Sequence, residues 1–175
     1  VTATSDGGFT LAYTVYGSIH LEKYSSDGVV LGAFEIPLPT ESAGGKSLTY
    51  HQIRTETLSS DKLLIALTWQ SSDESGLGFF VHDPDTNKTE EFIIETGQGR
   101  YPYEELDVAE LSNGNLLIGW SNEISDKIKI AVINSNDFSD IVTHDVADVS
   151  STHNDLDMSV EGLDRGGFLV SFTGS

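Results

Sequence analysis

The chain has 175 residues, with 9 Lys and Arg against 28 Asp and Glu, a formal net charge of −19 at pH 7. That length is one domain or one piece of a larger one, and 38% hydrophobic residues with 17 glycines support a core, which excludes collagen-like and fully disordered classes. The charge repels phosphate backbones and anionic membrane surfaces, so no nucleic-acid partner is expected; no apolar run reaches the roughly 18 residues of a membrane span, and the lack of Cys removes disulfides, thiolate metal sites and Cys nucleophiles.

In chain order, the first element is a hairpin over 4–13, where the polar turn Ser5-Asp6-Gly7-Gly8 leads into the apolar run Phe9-Thr10-Leu11-Ala12-Tyr13. Two strands follow, Ser18–Tyr24 and Leu31–Leu38, joined by Ser25-Ser26-Asp27-Gly28. A second hairpin over 58–67 carries Ser59-Ser60-Asp61-Lys62 before Leu63–Leu67, and then come Gly78–His82 and Glu90–Glu95. Glu105–Leu111 runs into a third hairpin over 111–120, whose turn is Ser112-Asn113-Gly114-Asn115, followed by Lys127–Ile133 and Asp140–Val146. Leu156–Val160 leads to the last hairpin over 163–172, with Asp164-Arg165-Gly166-Gly167 before Phe168–Phe172. The hairpins start at 4, 58, 111 and 163, so the period is 54, 53 and 52 residues. Each reads as a strand, a two-residue polar turn and an apolar strand, and no window has the i, i+3, i+4 spacing of a helix. The four prolines stand at strand ends or in turns, as an all-β chain requires.

Four antiparallel strands repeating about every 53 residues predict an all-β array of β-propeller-like blades. The blades are similar in layout to YVTN-type and NHL-type propeller blades. The turns Asp6-Gly7-Gly8-Phe9 and Gly166-Gly167-Phe168 resemble more closely those of large secreted bacterial surface proteins of adhesin type, from which Ser60-Asp61-Lys62-Leu63 departs. The resemblance implies a secreted or cell-surface module and no particular activity. The chain is expected to hold the second to fourth strands of one blade, two whole blades and two strands of another, fewer than the roughly 4–8 blades of a ring. A fragment of a longer polypeptide, consistent with a start at Val1, self-association that completes a ring, and a sandwich-like all-β layer are the three resolutions. Partners are thus further blades of the same polypeptide or copies of the chain.

Equivalent positions at the entrance to each inner strand form the expected ligand site. Counting back from Leu58 and Leu111, and two residues further from Leu163 with Gly162 read as inserted, gives Tyr50-His51-Gln52, Tyr103-Glu104-Glu105 and His153-Asn154-Asp155. With Arg100 and Tyr101 they mix flat apolar faces with directional hydrogen-bonding groups, a set suited to a glycan or a peptide. The expected binding residues are Tyr50, His51, Arg100, Tyr101, Tyr103, Glu104, His153 and Asn154. Glu105, Asp107, Asp155 and Asp157, with Glu104, are read as carboxylates close enough to repel one another; Ca²⁺ or solvation relieves that, and Arg54, at the position equivalent to Asp107, is the alternative counter-charge. Asp83-Pro84-Asp85-Thr86-Asn87 begins like a calcium loop but has Lys88 and Ile94 where such a loop needs Gly and Glu, so it is read as a turn. None of the five histidines forms an H-x-x-x-H pair and there is no G-x-S-x-G elbow. The expectation is therefore a non-enzymatic binding or scaffold module; the alternative is a secreted carbohydrate-active enzyme using two channel carboxylates.

Overall fold

The computed structural model describes residues 1–15, 17–42, 45–98, 103–122, 126–148 and 157–173. Among these residues the chain is all β, with no helix and four separate antiparallel sheets, none closed on itself. The first sheet runs β1 (Thr2–Ala3), β2 (Phe9–Val15), β3 (Ser18–Tyr24), β4 (Val30–Pro37). The second runs β5 (Thr49–Thr57), β6 (Leu63–Gln70), β7 (Glu74–Asp83), β8 (Lys88–Gln98). The third runs β9 (Tyr103–Glu110), β10 (Leu116–Asn122), β11 (Lys127–Asn134), β12 (Asp137–Asp148), and the fourth pairs β13 (Met158–Gly162) with β14 (Phe168–Phe172). The first sheet has one strand more than the sequence suggested: Thr2 and Ala3 pair with Thr10 and Phe9.

The four repeat turns share one hydrogen-bond pattern, and it is wider than a two-residue turn. The N–H of Thr4, Leu58, Leu111 and Leu163 donates to the carbonyl four residues on, and the N–H three residues on donates back to each of their carbonyls. This is a type I turn closed by a bulge whose last turn residue is left-handed. That residue is Gly7, Gly114 or Gly166 in three turns, at φ of 83°, 82° and 88°, and Asp61 in the other, at 61°. Asp tolerates this region better than most side chains because its short polar group bonds locally, so the departure at Ser60-Asp61-Lys62 leaves the turn unchanged. Asp83 to Asn87 is a turn as expected, with the Asp83 carboxylate accepting the N–H of Asp85 and Thr86 at 3.0 and 3.2 Å.

The sheets stack in chain order, chiefly through their first strands: β1 and β2 on β5, β5 and β6 on β9, and β9 and β10 on β13. A sheet covered on both sides needs apolar residues on both faces, which is why residues 63–67 of β6 and 77–81 of β7 read as continuous apolar runs rather than alternating ones. Leu64, Ala66, Leu77 and Phe79 pack toward Leu106, Leu116, Ile118 and Trp120 of the third sheet. Leu63, Ile65, Leu67 and Phe80 pack toward Ile19, Leu21, Ile36 and Leu38 of the first. Of the alternating apolar positions along the strand after each repeat turn, Leu63, Ile65, Leu116 and Ile118 are buried, whereas Phe9, Leu11 and Val170 are half-buried and Phe168 is exposed. Trp120 is fully buried, its indole N–H donating to Glu95 at 3.1 Å, and Lys129 meets the other oxygen of Glu95 at 2.8 Å.

Candidate functional site

The strand-entrance end is built by a recurring device. The N–H of Gln52, Glu105 and Asp157 donates to the hydroxyl of Thr68, Ser121 and Thr173 respectively, at 3.1, 3.0 and 3.0 Å. In the second and third sheets that bond spans a register shift, between Tyr50 and Ile53 and between Trp120 and Asn122. The hydroxyl replaces a ladder partner that the bulge removes, so the backbone donor stays satisfied. The same device fixes the register of the fourth sheet. β13 pairs with β14 as β9 pairs with β10, Gly162 opposite Phe168 as Glu110 is opposite Leu116. There is thus no inserted residue at Gly162, and Asp157 rather than Asp155 stands at the position of Gln52 and Glu105. Gly162 is needed there for closeness, since a Cβ at 162 would overlap the Glu110 carbonyl.

Of the expected binding residues, Tyr50 and His51 open β5, with Tyr50 half-buried and His51 exposed. Tyr103 and Glu104 open β9, and their side chains lie outside the described part of the structure. Arg100, Tyr101, His153, Asn154 and Asp155 lie outside the described residues. Among the carboxylates expected to cluster, Asp107 ties β9 to β13: it accepts the Ser159 hydroxyl at 2.9 Å and the Val160 N–H at 2.8 Å. Arg54 does not reach across to a described carboxylate; its guanidinium donates to the carbonyl of Ile53 at 3.0 Å. Among the described residues no three His, Asp or Glu side chains are grouped to hold a metal. The repulsion that does build up is elsewhere. Glu56 on β5 feels Glu110 and Asp107 of the next sheet, and burial first, then these charges, raise its carboxyl above the ordinary range. Glu110 meanwhile accepts both the N–H and the hydroxyl of Ser59, at 2.6 and 2.7 Å.

The chemistry with room for a ligand lies beside Tyr50, on the face of the second sheet toward the first. A cavity of about 310 Å³ opens there between the chain leaving β4 and the strands β6, β7 and β8. Its floor follows the strand register. Tyr50 lies opposite Trp69, Trp69 opposite Gly76 and Gly76 opposite Thr96; one step along the same face, Leu67 lies opposite Gly78 and Gly78 opposite Ile93. The two glycines lower this floor. The Trp69 indole fills the place that a side chain at 76 would take, and at 78 a Cβ would crowd the Phe92 carbonyl. Leu38, Pro39 and Leu48 form the opposite wall, and the Tyr50 hydroxyl donates to the Pro39 carbonyl at 2.7 Å, tying wall to floor. Burial, and then the charge of Glu91, push the Tyr50 phenol up to about 12, so it remains a neutral donor at all working pH values. Glu41, Glu74 and Glu91 stand around the same cavity.

Of these residues the sequence pointed to Tyr50 alone as a ligand contact. The usable signal was Gly76 and Gly78 across a short hairpin from an aromatic residue, a pattern that marks a lowered sheet face. Compared with protein-family models, curated proteins and solved structures, the chain finds no match.

Proposed function

We propose that the chain is a ligand-binding module built of β-propeller-type blades, part of a secreted or cell-surface bacterial protein, that seats a glycan or a peptide in the cavity lined by Tyr50 and Trp69. The observation that carries the reading is this cavity, apolar below, aromatic at one end and polar at the rim. Ligand cavities are commonly about 300–1,000 Å³ and combine apolar walls with a few placed polar groups. The blade reading is supported by the repeated four-stranded meander, the recurring turn and the stacking through first strands. The secreted or surface setting rests on the acidic chain and on the likeness of its turns to adhesin-type blades. The further blades needed for a ring would come from the same polypeptide or from copies of the chain.

The test is a screen of the purified chain against a glycan array and a peptide array, followed by titration of each hit. Hits whose binding is lost in Trp69→Ala and weakened in Tyr50→Phe support the reading. An absence of hits on both arrays, or binding untouched by either substitution, overturns it.

A further inference from the structure

The rim of this cavity has one sign of charge. Glu41, Glu74 and Glu91 all line it, none forms an ion pair with a described residue, and no basic residue is among its described lining. In a chain of net −19 the nearest relief for such a rim is a cation brought by the ligand. The interior below the rim is not that of a bare ion site. Tyr50, Trp69 and Phe80 line it together with Leu38 and Leu67. Aromatic faces attract ammonium and guanidinium groups, and an apolar floor accepts the methylene stem that carries them. A neutral sugar would use the aromatics and leave the three carboxylates without a counter-charge. A metal ion would use the carboxylates and leave the aromatic floor unfilled, and no metal-holding group is found among the described residues.

From this juxtaposition we infer that the cavity takes the basic side chain of a peptide, a lysine or arginine whose stem lies along Trp69 and Tyr50 and whose charged head lies at the rim, in the combined field of Glu41, Glu74 and Glu91. The inference rests on the binding reading above and narrows its ligand. The neutral Tyr50 phenol keeps one further acceptor oxygen at the cavity wall without adding charge.

The experiment measures fluorescence anisotropy of a labelled acetyl-Gly-Lys-Gly amide peptide on the intact chain, beside its N-ε-acetyl-lysine counterpart, maltotriose and spermidine. Acetylation of the lysine is expected to weaken binding at least about tenfold, because it removes the charge and keeps the stem. Glu74→Gln with Glu91→Gln is expected to weaken it about fivefold to tenfold with an unchanged melting temperature, since these carboxylates form no ion pair with a described residue. Binding should also fall with added salt. Equal binding of the acetylated peptide, or a double variant of unchanged affinity, overturns the inference. Binding of maltotriose alone overturns it while leaving the binding module standing. Spermidine binding as tightly as the peptide overturns the peptide as the source of the cation. Failure of every probe, together with empty glycan and peptide arrays, defeats both readings.

Discussion

At Glu56 and His82 the fold disfavours the charged form, so it favours protonation of the carboxyl and disfavours protonation of the imidazole. Glu56 has its carboxyl raised in the folded chain, so its contribution to stability is full below the ordinary carboxylate range and is lost as pH rises through the folded value. At neutral pH the charge is a penalty, and Glu56→Gln removes it. The substitution is expected to raise the melting temperature by up to about 2 °C at pH 7 and to leave it unchanged below about pH 4, as scanning calorimetry at the two values would show. His82 is buried at 3% exposure, with Nδ1 at 3.0 Å from the Thr89 hydroxyl and no partner for Nε2 among the described residues. Burial lowers its pKa, while Asp83 pulls weakly the other way. As pH falls through about 6.5 the unfolded chain takes up this proton first, so stability drops until the folded site also protonates. Over the same range the acidic surface is being neutralised, which works in the opposite direction. The two are separated by His82→Leu: its urea midpoint should gain on that of the wild type as pH falls from about 7 to 5. A constant gap would mean that His82 does not titrate against folding.

At the scale of elements, the turns are the part of the structure most legible in the sequence. A left-handed position at the third step past each Leu or Thr restricts the residue there to Gly or a short polar side chain, and that restriction shows as Gly7, Gly114, Gly166 and Asp61. Gly114→Ala tests it cleanly. A Cβ at 114 lies 3.5 Å from its nearest neighbour, the Ser135 hydroxyl, so it clashes with nothing and the cost is that of the backbone conformation, about 1 kcal/mol in a urea unfolding curve. Gly114→Asn should cost less. β7 was harder to read. Its first residues, Glu74, Ser75 and Gly76, have no apolar periodicity, so the strand was expected to begin at Gly78. What makes them a strand is tertiary: Gly76 lies under Trp69, and Ser71 closes a tight turn by donating its N–H to the Glu74 carbonyl at 2.7 Å. The candidate site was legible to the same limited degree. Tyr50 could be placed by counting from the turn, but the cavity depends on a loop from the first sheet folding over the face of the second, and no repeat-based count relates those segments. The register of the fourth sheet was missed because Gly162 looked like an insertion, when it is the residue that lets β13 approach Glu110.

Across the whole molecule, the two middle sheets are covered on both faces and the β14 side of the fourth is not. Leu169 and Phe172 are 51% and 42% exposed there, beside Phe168 and Leu163. Apolar residues grouped on one outer strand favour association. Sedimentation velocity is therefore expected to show concentration-dependent self-association of the wild-type chain, reduced in Leu169→Lys with Phe172→Lys; a monomer at all concentrations would contradict this. The seams between sheets share a further property. Thr2 bonds Thr57, Ser5 bonds Asp61, Ser59 bonds Glu110, and Asp107 bonds Ser159 and Val160, joining residues 55, 56, 51, 52 and 53 positions apart. Each bond therefore reaches one period and no further. In energetic terms such a chain is a one-dimensional lattice, in which each unit is coupled only to its neighbours. Duplication of a whole unit of about 53 residues creates one new seam from parts already present and leaves the others as they were. A single inserted residue inside β9, by contrast, would move Asp107 out of reach of Ser159. The architecture is thus tolerant of copying and intolerant of slippage, and a gene encoding it can grow by recombination in steps of one sheet.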